Sequence, residues 1–272
     1  MSLVSTATLL GAQRAVLAFN VIQLEHGEAI LRGAASAGRG VILQISENAA
    51  SYHGGLAPVG LASLELARAA QTDTAVHLDH AEDEALVEEA VRLGFTSVMF
   101  DAATLPDAEN RERTAAVAQA AQAQGVWVEA ELGAIGGKGG AHTPGVRTDV
   151  DDAVAFVEAT KVDGLAVAVG SSHAMTSRSA SLDFGLIAEL ASAVPVPLVL
   201  HGSSGVSDAD LVRAVEAGMR KINISTHING IFTRAVRERL DADPSLVDPR
   251  KYLGPAREAV AAEVARLLTL VA

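Results

Sequence analysis

Short apolar runs that end in a polar residue alternate along this chain with longer segments whose apolar positions recur at helical spacing. The first run is Ala15-Val16-Leu17-Ala18-Phe19-Asn20, and residues 27–38 follow it with Ala, Ile and Leu on one face and a closing glycine. Gly40-Val41-Ile42-Leu43-Gln44-Ile45-Ser46 precedes a helical segment over 59–71, and Ala75-Val76-His77-Leu78-Asp79-His80 precedes one over 82–94. Residues 97–101 then pair with a helix over 107–124, residues 126–132 with 150–160, and residues 164–170 with 184–193. The seventh run, Pro197-Leu198-Val199-Leu200, ends at His201 and a Gly/Ser turn ahead of a helix start at Ser207-Asp208. The eighth, 221–226, precedes a helix over 230–240, and a further helix over 256–268 closes the chain beyond Asp248-Pro249 and Gly254-Pro255. Eight strand–helix alternations predict an α/β fold, a parallel (β/α)8 TIM barrel with an additional C-terminal helix. No linker or low-complexity stretch interrupts it, so one domain is expected over 1–272.

Composition narrows the picture. The sequence is 49% hydrophobic but only 3% aromatic, so Ala, Val and Leu must pack the layers. A net charge of −12 with no basic stripe argues against nucleic acid and anionic membranes as partners. Without cysteine, metal binding falls to His, Asp and Glu. The lack of a basic leader or a bilayer-length apolar run points to a cytoplasmic protein.

Barrel topology gathers residues that are far apart in sequence, because strand C-termini meet at one mouth. Those positions hold Asn20 and Ser46, both expected to bind substrate or its phosphate, then Asp79 with His80, Asp101, Glu131, His173, His201 and Asn223 to Thr226. A lone histidine after an apolar run defaults to a packed or capping role, but His80, His173 and His201 all fall at strand ends. Three imidazoles with an open position suit a catalytic Zn²⁺, with Asp101 and Glu131 as oxygen ligands or as orienters of the imidazoles. Strict alternation places His77 with Asp79 on one face and His80 on the other, so His80 reaches the mouth only if the strand ends there and turns. His77 then reads as structural, and His26, His53 and His142 as surface histidines. The Gly202-Ser203-Ser204 loop and Asn223, Ser225 and Thr226 offer N–H and hydroxyl donors to a phosphate. Lys221 begins the eighth strand, at the wrong rim for a Schiff-base nucleophile.

Five segments taken together resemble the class II, zinc-dependent fructose-bisphosphate and tagatose-bisphosphate aldolases. They are His77-Leu78-Asp79-His80, Glu129-Ala130-Glu131-Leu132-Gly133, Gly170-Ser171-Ser172-His173, His201-Gly202-Ser203-Ser204-Gly205 and Lys221-Ile222-Asn223-Ile224-Ser225-Thr226. The resemblance implies Zn²⁺ on His80, His173 and His201, a second metal position at Asp101 and Glu131, and Asp79 as proton donor to the leaving aldehyde. It further implies dihydroxyacetone phosphate held by Ala174, Gly202, Ser203, Ser204 and the segment Asn223, Ile224, Ser225 and Thr226. A monovalent cation such as Na⁺ or K⁺ beside the phosphate, and a homodimer or homotetramer, are implied as well. Ala174 stands where the family usually has glycine, and Lys138-Gly139-Gly140-Ala141-His142 where it usually carries acidic residues. Those departures motivate a second reading, an aldolase-like phosphosugar-binding protein with little turnover. A metal-dependent hydrolase on the same barrel is a third.

Overall fold

The computed structural model describes residues 2–132, 147–172, 178 and 180–272. In order, the first half contains α1 (Thr6–Ala12), β1 (Val16–Asn20), α2 (Leu24–Ala37), β2 (Val41–Ser46), α3 (Glu47–Tyr52), α4 (Ala57–Ala69), β3 (Thr74–Ala81), α5 (Glu84–Leu93), β4 (Ser97–Phe100) and α6 (Asp107–Gln122). The second half adds β5 (Trp127–Leu132), α7 (Val150–Thr160), β6 (Gly164–Val167), α8 (Phe184–Ala193), β7 (Leu198–Leu200), a 3-10 turn (Ser203–Gly205), α9 (Asp208–Ala217), β8 (Met219–Ile224), α10 (Thr226–Ala242) and α11 (Arg250–Leu270). All eight strands pair in parallel and in sequence order, and β8 closes on β1 with Val16 opposite Lys221 and Ala18 opposite Asn223. The predicted barrel and terminal helix are both present. Among the described residues no helix is long and apolar enough to cross a membrane.

Alternate strand residues go to two different cores. Leu17, Phe19, Leu43 and Ile45 pack outward among helix residues such as Ile30, Ala34 and Leu64. Val16, Ala18, Ile42, Ala75 and Val199 pack inward against Leu9 and Leu10. Helix α1, absent from the sequence reading, therefore plugs the N-terminal end of the barrel. It is too short for hydrophobic periodicity to announce it, and Ser5 caps it by accepting from the Thr8 N–H.

Other boundaries shift for identifiable reasons. Ser46 caps α3 by accepting from the Ala49 N–H, adding a helix where none was expected. α10 begins at Thr226 rather than 230. α11 runs through Gly254-Pro255 from Arg250, with Pro255 inside the helix, where it leaves out one backbone hydrogen bond. α11 packs closely on α2: a Cβ on Gly33 would sit 2.6 Å from the Ala261 carbonyl oxygen and 2.7 Å from Val264 Cβ. His26, expected at the surface, is buried in α2 with its ring centroid 4.7 Å from that of Phe232 in α10.

β3 departs most usefully from expectation. The strand does not end at His80 but continues to Ala81, and His80 itself adopts φ 50°. The β3–β4 register shifts between Leu78 and Ala81. This bulge, with one residue in the left-handed region, turns His80 to the same side as Asp79.

Candidate active site

Interior-facing positions near the barrel mouth carry polar side chains in place of the apolar plug below. Asp79 is buried and receives Nδ2–H donors from Asn20 and Asn223, each at 3.2 Å. Gln44, not singled out from sequence, donates to Asn20 Oδ1 at 2.7 Å and so turns the Asn20 amide nitrogen toward Asp79. Burial works against ionisation of Asp79. The His80 and His201 rings when protonated, the Lys221 ammonium and the Asn20 hydrogen bond outweigh it, and hold the carboxyl below its ordinary value.

The two described imidazoles face each other. His201 Nδ1 lies 2.8 Å from His80 Nε2, and the rings stand edge to face with centroids 4.5 Å apart. Their outer nitrogens each meet a carboxylate: His80 Nδ1 lies 2.7 Å from Asp101 Oδ2, and His201 Nε2 lies 2.9 Å from Glu129 Oε1. A carboxylate accepts, so a ring whose outer nitrogen carries its one proton presents a lone pair on the inner nitrogen. Glu131 Oε2 stands 3.8 Å from both His80 Nδ1 and His201 Nδ1. Two sets of donor atoms each fall within 4.8 Å of one another, Asp79 with His80 and His201, and His80 with Asp101 and Glu131. Two ring nitrogens and a carboxylate oxygen converging in that span, each imidazole backed by a carboxylate, suit a divalent cation with bonds of about 2 Å.

Beneath this cluster Lys221 is completely buried, and its Nζ donates to Glu129 Oε2 at 2.7 Å. It lies 3.5 Å from His77 Nε2, whose Nδ1 contacts Ser97 Oγ. Burial, reinforced by the Lys221 ammonium, pushes the His77 imidazole well below its ordinary value, so it is neutral. Its structural assignment agrees with this position.

The turn after β7 is set by close approach. Gly202 has φ 67°, and a Cβ there would meet the Ser172 carbonyl oxygen at 2.5 Å. Ser171 Oγ donates to the His201 carbonyl at 2.6 Å, and Ser203 Oγ to that of Asn223. Ser204 Oγ accepts from the His227 N–H, joining the turn to the start of α10, where Ser225 and Thr226 lie. The Ile224 side chain packs outward in the barrel–helix core, so only its backbone faces this region. Of the sequence-predicted residues, Asn20, Asp79, His80, Asp101, Glu131, His201 and Asn223 come together, and Gly202–Ser204 and Ser225–Thr226 adjoin them. Ser46 caps α3. His173, Ala174 and the 138–142 loop lie outside the described residues.

Gln44, Glu129 and Lys221 were not assigned to the site from sequence. Each is a polar residue inside an apolar run, two positions before a residue that was recognised: Ser46, Glu131 and Asn223. The period of two puts each pair on one face.

A closed parallel barrel with buried imidazoles and carboxylates at its C-terminal mouth is an enzyme of the (β/α)8 class. The family model for fructose-bisphosphate aldolase class-II matches residues 6–272, and the chain belongs to that family. Its activity class is therefore aldehyde-lyase. Over 268 residues, 96% of this chain and 94% of the relative, it is 40% identical to a probable fructose-bisphosphate aldolase of Bacillus subtilis (strain 168). It is 38% identical to a fructose-bisphosphate aldolase of Geobacillus stearothermophilus, over 97% of this chain and 95% of the relative. Among solved structures, the YdjI aldolase from Escherichia coli K12 superposes with a TM-score of 0.85 at 28% identity, covering 98% of this chain and 96% of that one.

Proposed function

We propose that this chain is a single-domain, zinc-dependent ketose-phosphate aldolase, cleaving a ketose 1-phosphate or bisphosphate to dihydroxyacetone phosphate and an aldehyde. The observation that carries the reading is the convergence of the His80 and His201 ring nitrogens beside the Asp79 carboxyl, with a carboxylate behind each imidazole. His80 and His201, with His173 from the family resemblance, would hold the metal, and Asp101 and Glu131 would orient the site or hold a second position. When bound, the cation supplies Lewis-acid stabilisation of charge on the substrate's carbonyl oxygen.

The protein's own part in cleavage centres on Asp79. The cluster does not push its pKa up despite burial, so it is a carboxylate at neutral pH, fit to accept the proton of the hydroxyl on the carbon that becomes the aldehyde. As that proton leaves, the adjacent C–C bond breaks, the hydroxyl carbon becomes a carbonyl, and the electron pair stays on the other fragment, whose carbon takes up one proton to give dihydroxyacetone phosphate while Asp79 releases its own. In condensation the same proton returns to the aldehyde oxygen, which is the donor role expected from sequence. Asn20 and Asn223 fix the carboxylate while this happens. Gly202–Ser204, Ser225 and Thr226 offer N–H and hydroxyl donors to the phosphate at a helix start, beside a Na⁺ or K⁺. A cytoplasmic homodimer or homotetramer completes the reading.

The test is triose phosphate release from a panel of fructose, tagatose and other ketose phosphates, with zinc-loaded protein and with protein stripped by EDTA. Release that needs zinc supports the reading. Ligand-dependent thermal stabilisation without release favours the binding protein, and failure to take up zinc refutes the mechanism.

A further inference from the structure

We propose that Lys221 and Glu129 form a positioning pair that fixes the tautomer of His201 and thereby aims its Nδ1 lone pair at the metal position. The inference rests on the metal reading above and assigns work to two buried residues that touch neither substrate nor metal in it.

What surrounds His201 Nε2 decides the tautomer. Two partners of opposite kind compete for that nitrogen: the Glu129 Oε1 acceptor at 2.9 Å and the Asn223 Nδ2 donor at 3.1 Å. If the carboxylate prevails, Nε2 carries the proton and Nδ1 is a lone pair facing His80 Nε2. If the amide prevails, Nε2 accepts, Nδ1 carries the proton, and a hydrogen points where a cation must sit. The outcome depends on Glu129 staying a charged acceptor at this spot, although it is wholly buried. A carboxylate alone there would be costly; the Lys221 ammonium, reaching from β8 to donate to Oε2 at 2.7 Å, supplies the countercharge. Neutral His77 stands 3.5 Å from the same Nζ and is itself tied to Ser97, which restricts where the ammonium can move. The chain Ser97–His77–Lys221–Glu129–His201 thus spans the barrel interior from β4 to β7 and ends on an imidazole of the mouth.

Two measurements on full-length protein test this. Zinc affinity is read by competition with a chromophoric chelator, and histidine tautomers of the metal-free protein by ¹⁵N–¹H correlation spectra of the rings. Wild type should show His201 protonated on Nε2. Lys221→Met alone would strand a buried carboxylate, so the charge-neutral pair Glu129→Gln/Lys221→Met is the decisive variant. It should weaken zinc binding by about 10- to 100-fold, the usual loss when a group behind a metal-binding histidine is removed, and shift His201 toward the Nδ1–H form. Should that variant not fold, Glu129→Asp keeps the charge on Lys221 while withdrawing the oxygen from His201, and the same two shifts are expected. Unchanged tautomer and zinc affinity within threefold of wild type, in a folded variant, overturn the inference alone. Wild-type protein that takes up no zinc overturns the metal reading and this inference together.

Discussion

His26 offers a quantitative test of the packing between α2 and α10. The ring is buried against Phe232, and neither ring nitrogen has a hydrogen-bond partner among the described residues. Burial lowers its pKa from 6.5 to about 4. Because the fold prefers the neutral ring, protonation favours the unfolded chain. Stability is undiminished above pH 6.5 and is lost as the pH falls from 6.5 toward 4. The gap corresponds to about 3 kcal/mol once both states are fully protonated, and to about 2 kcal/mol at pH 5 against almost none at pH 7. His26→Leu removes the titration and two unpaired polar atoms while conserving much of the volume. Urea unfolding of both proteins at pH 7 and pH 5 should show the variant gaining about 2 kcal/mol relative to wild type on acidification. Parallel pH profiles would mean that the fold opens to hydrate the protonated ring at little cost, and that the α2–α10 contact is looser than the structure describes.

Three further outcomes are expected. Asp79→Asn should lower the cleavage rate by well over tenfold with zinc still bound, and a loss within tenfold, about 1.4 kcal/mol, would remove the proton-transfer role. Gly202→Ala should cost about 1–3 kcal/mol, because the new methyl meets the Ser172 carbonyl at 2.5 Å in a left-handed backbone; a thermal melt matching wild type would contradict that approach. Gly33→Ala, pressing on Ala261 and Val264 across the α2–α11 contact, should destabilise by about 1–3 kcal/mol yet leave kcat of the folded fraction unchanged, since the contact lies on the outer layer.

How much of this was legible in the sequence depends on the kind of signal each feature leaves. Strands were legible because the barrel buries both faces, so each reads as an apolar run, and the mouth shows as the polar residue that ends it. Helix α1 left no such trace: its seven residues are helical because Leu9 and Leu10 fill the bottom of a barrel whose closure is a long-range event. The position of His80 was legible as a conflict. Alternation forbade Asp79 and His80 from sharing the mouth, and the φ of 50° at His80 is how the backbone resolves it. The Glu129–Lys221 pair was hidden differently, since its partners are 92 residues apart and no local period links them.

Position along a strand, read as distance from the mouth, is what gave Lys221 its reading as a residue at the wrong rim. The lysine does lie below the mouth, and its Nζ is held by Glu129, so it is no nucleophile. Yet a strand sends every second residue into one continuous interior column, and depth in that column does not mark where the site stops. Here Leu9, Leu10 and Ala75 close the bottom and the Lys221–Glu129 pair with His77 lies above them. His201, His80 and Asp79 occupy the top, linked downward through Glu129. An apolar filling at Lys221 would be the more stable choice by ordinary accounting of buried ion pairs. A charged pair kept there, in contact with a mouth imidazole, is understandable if the barrel interior orients the site as well as filling space.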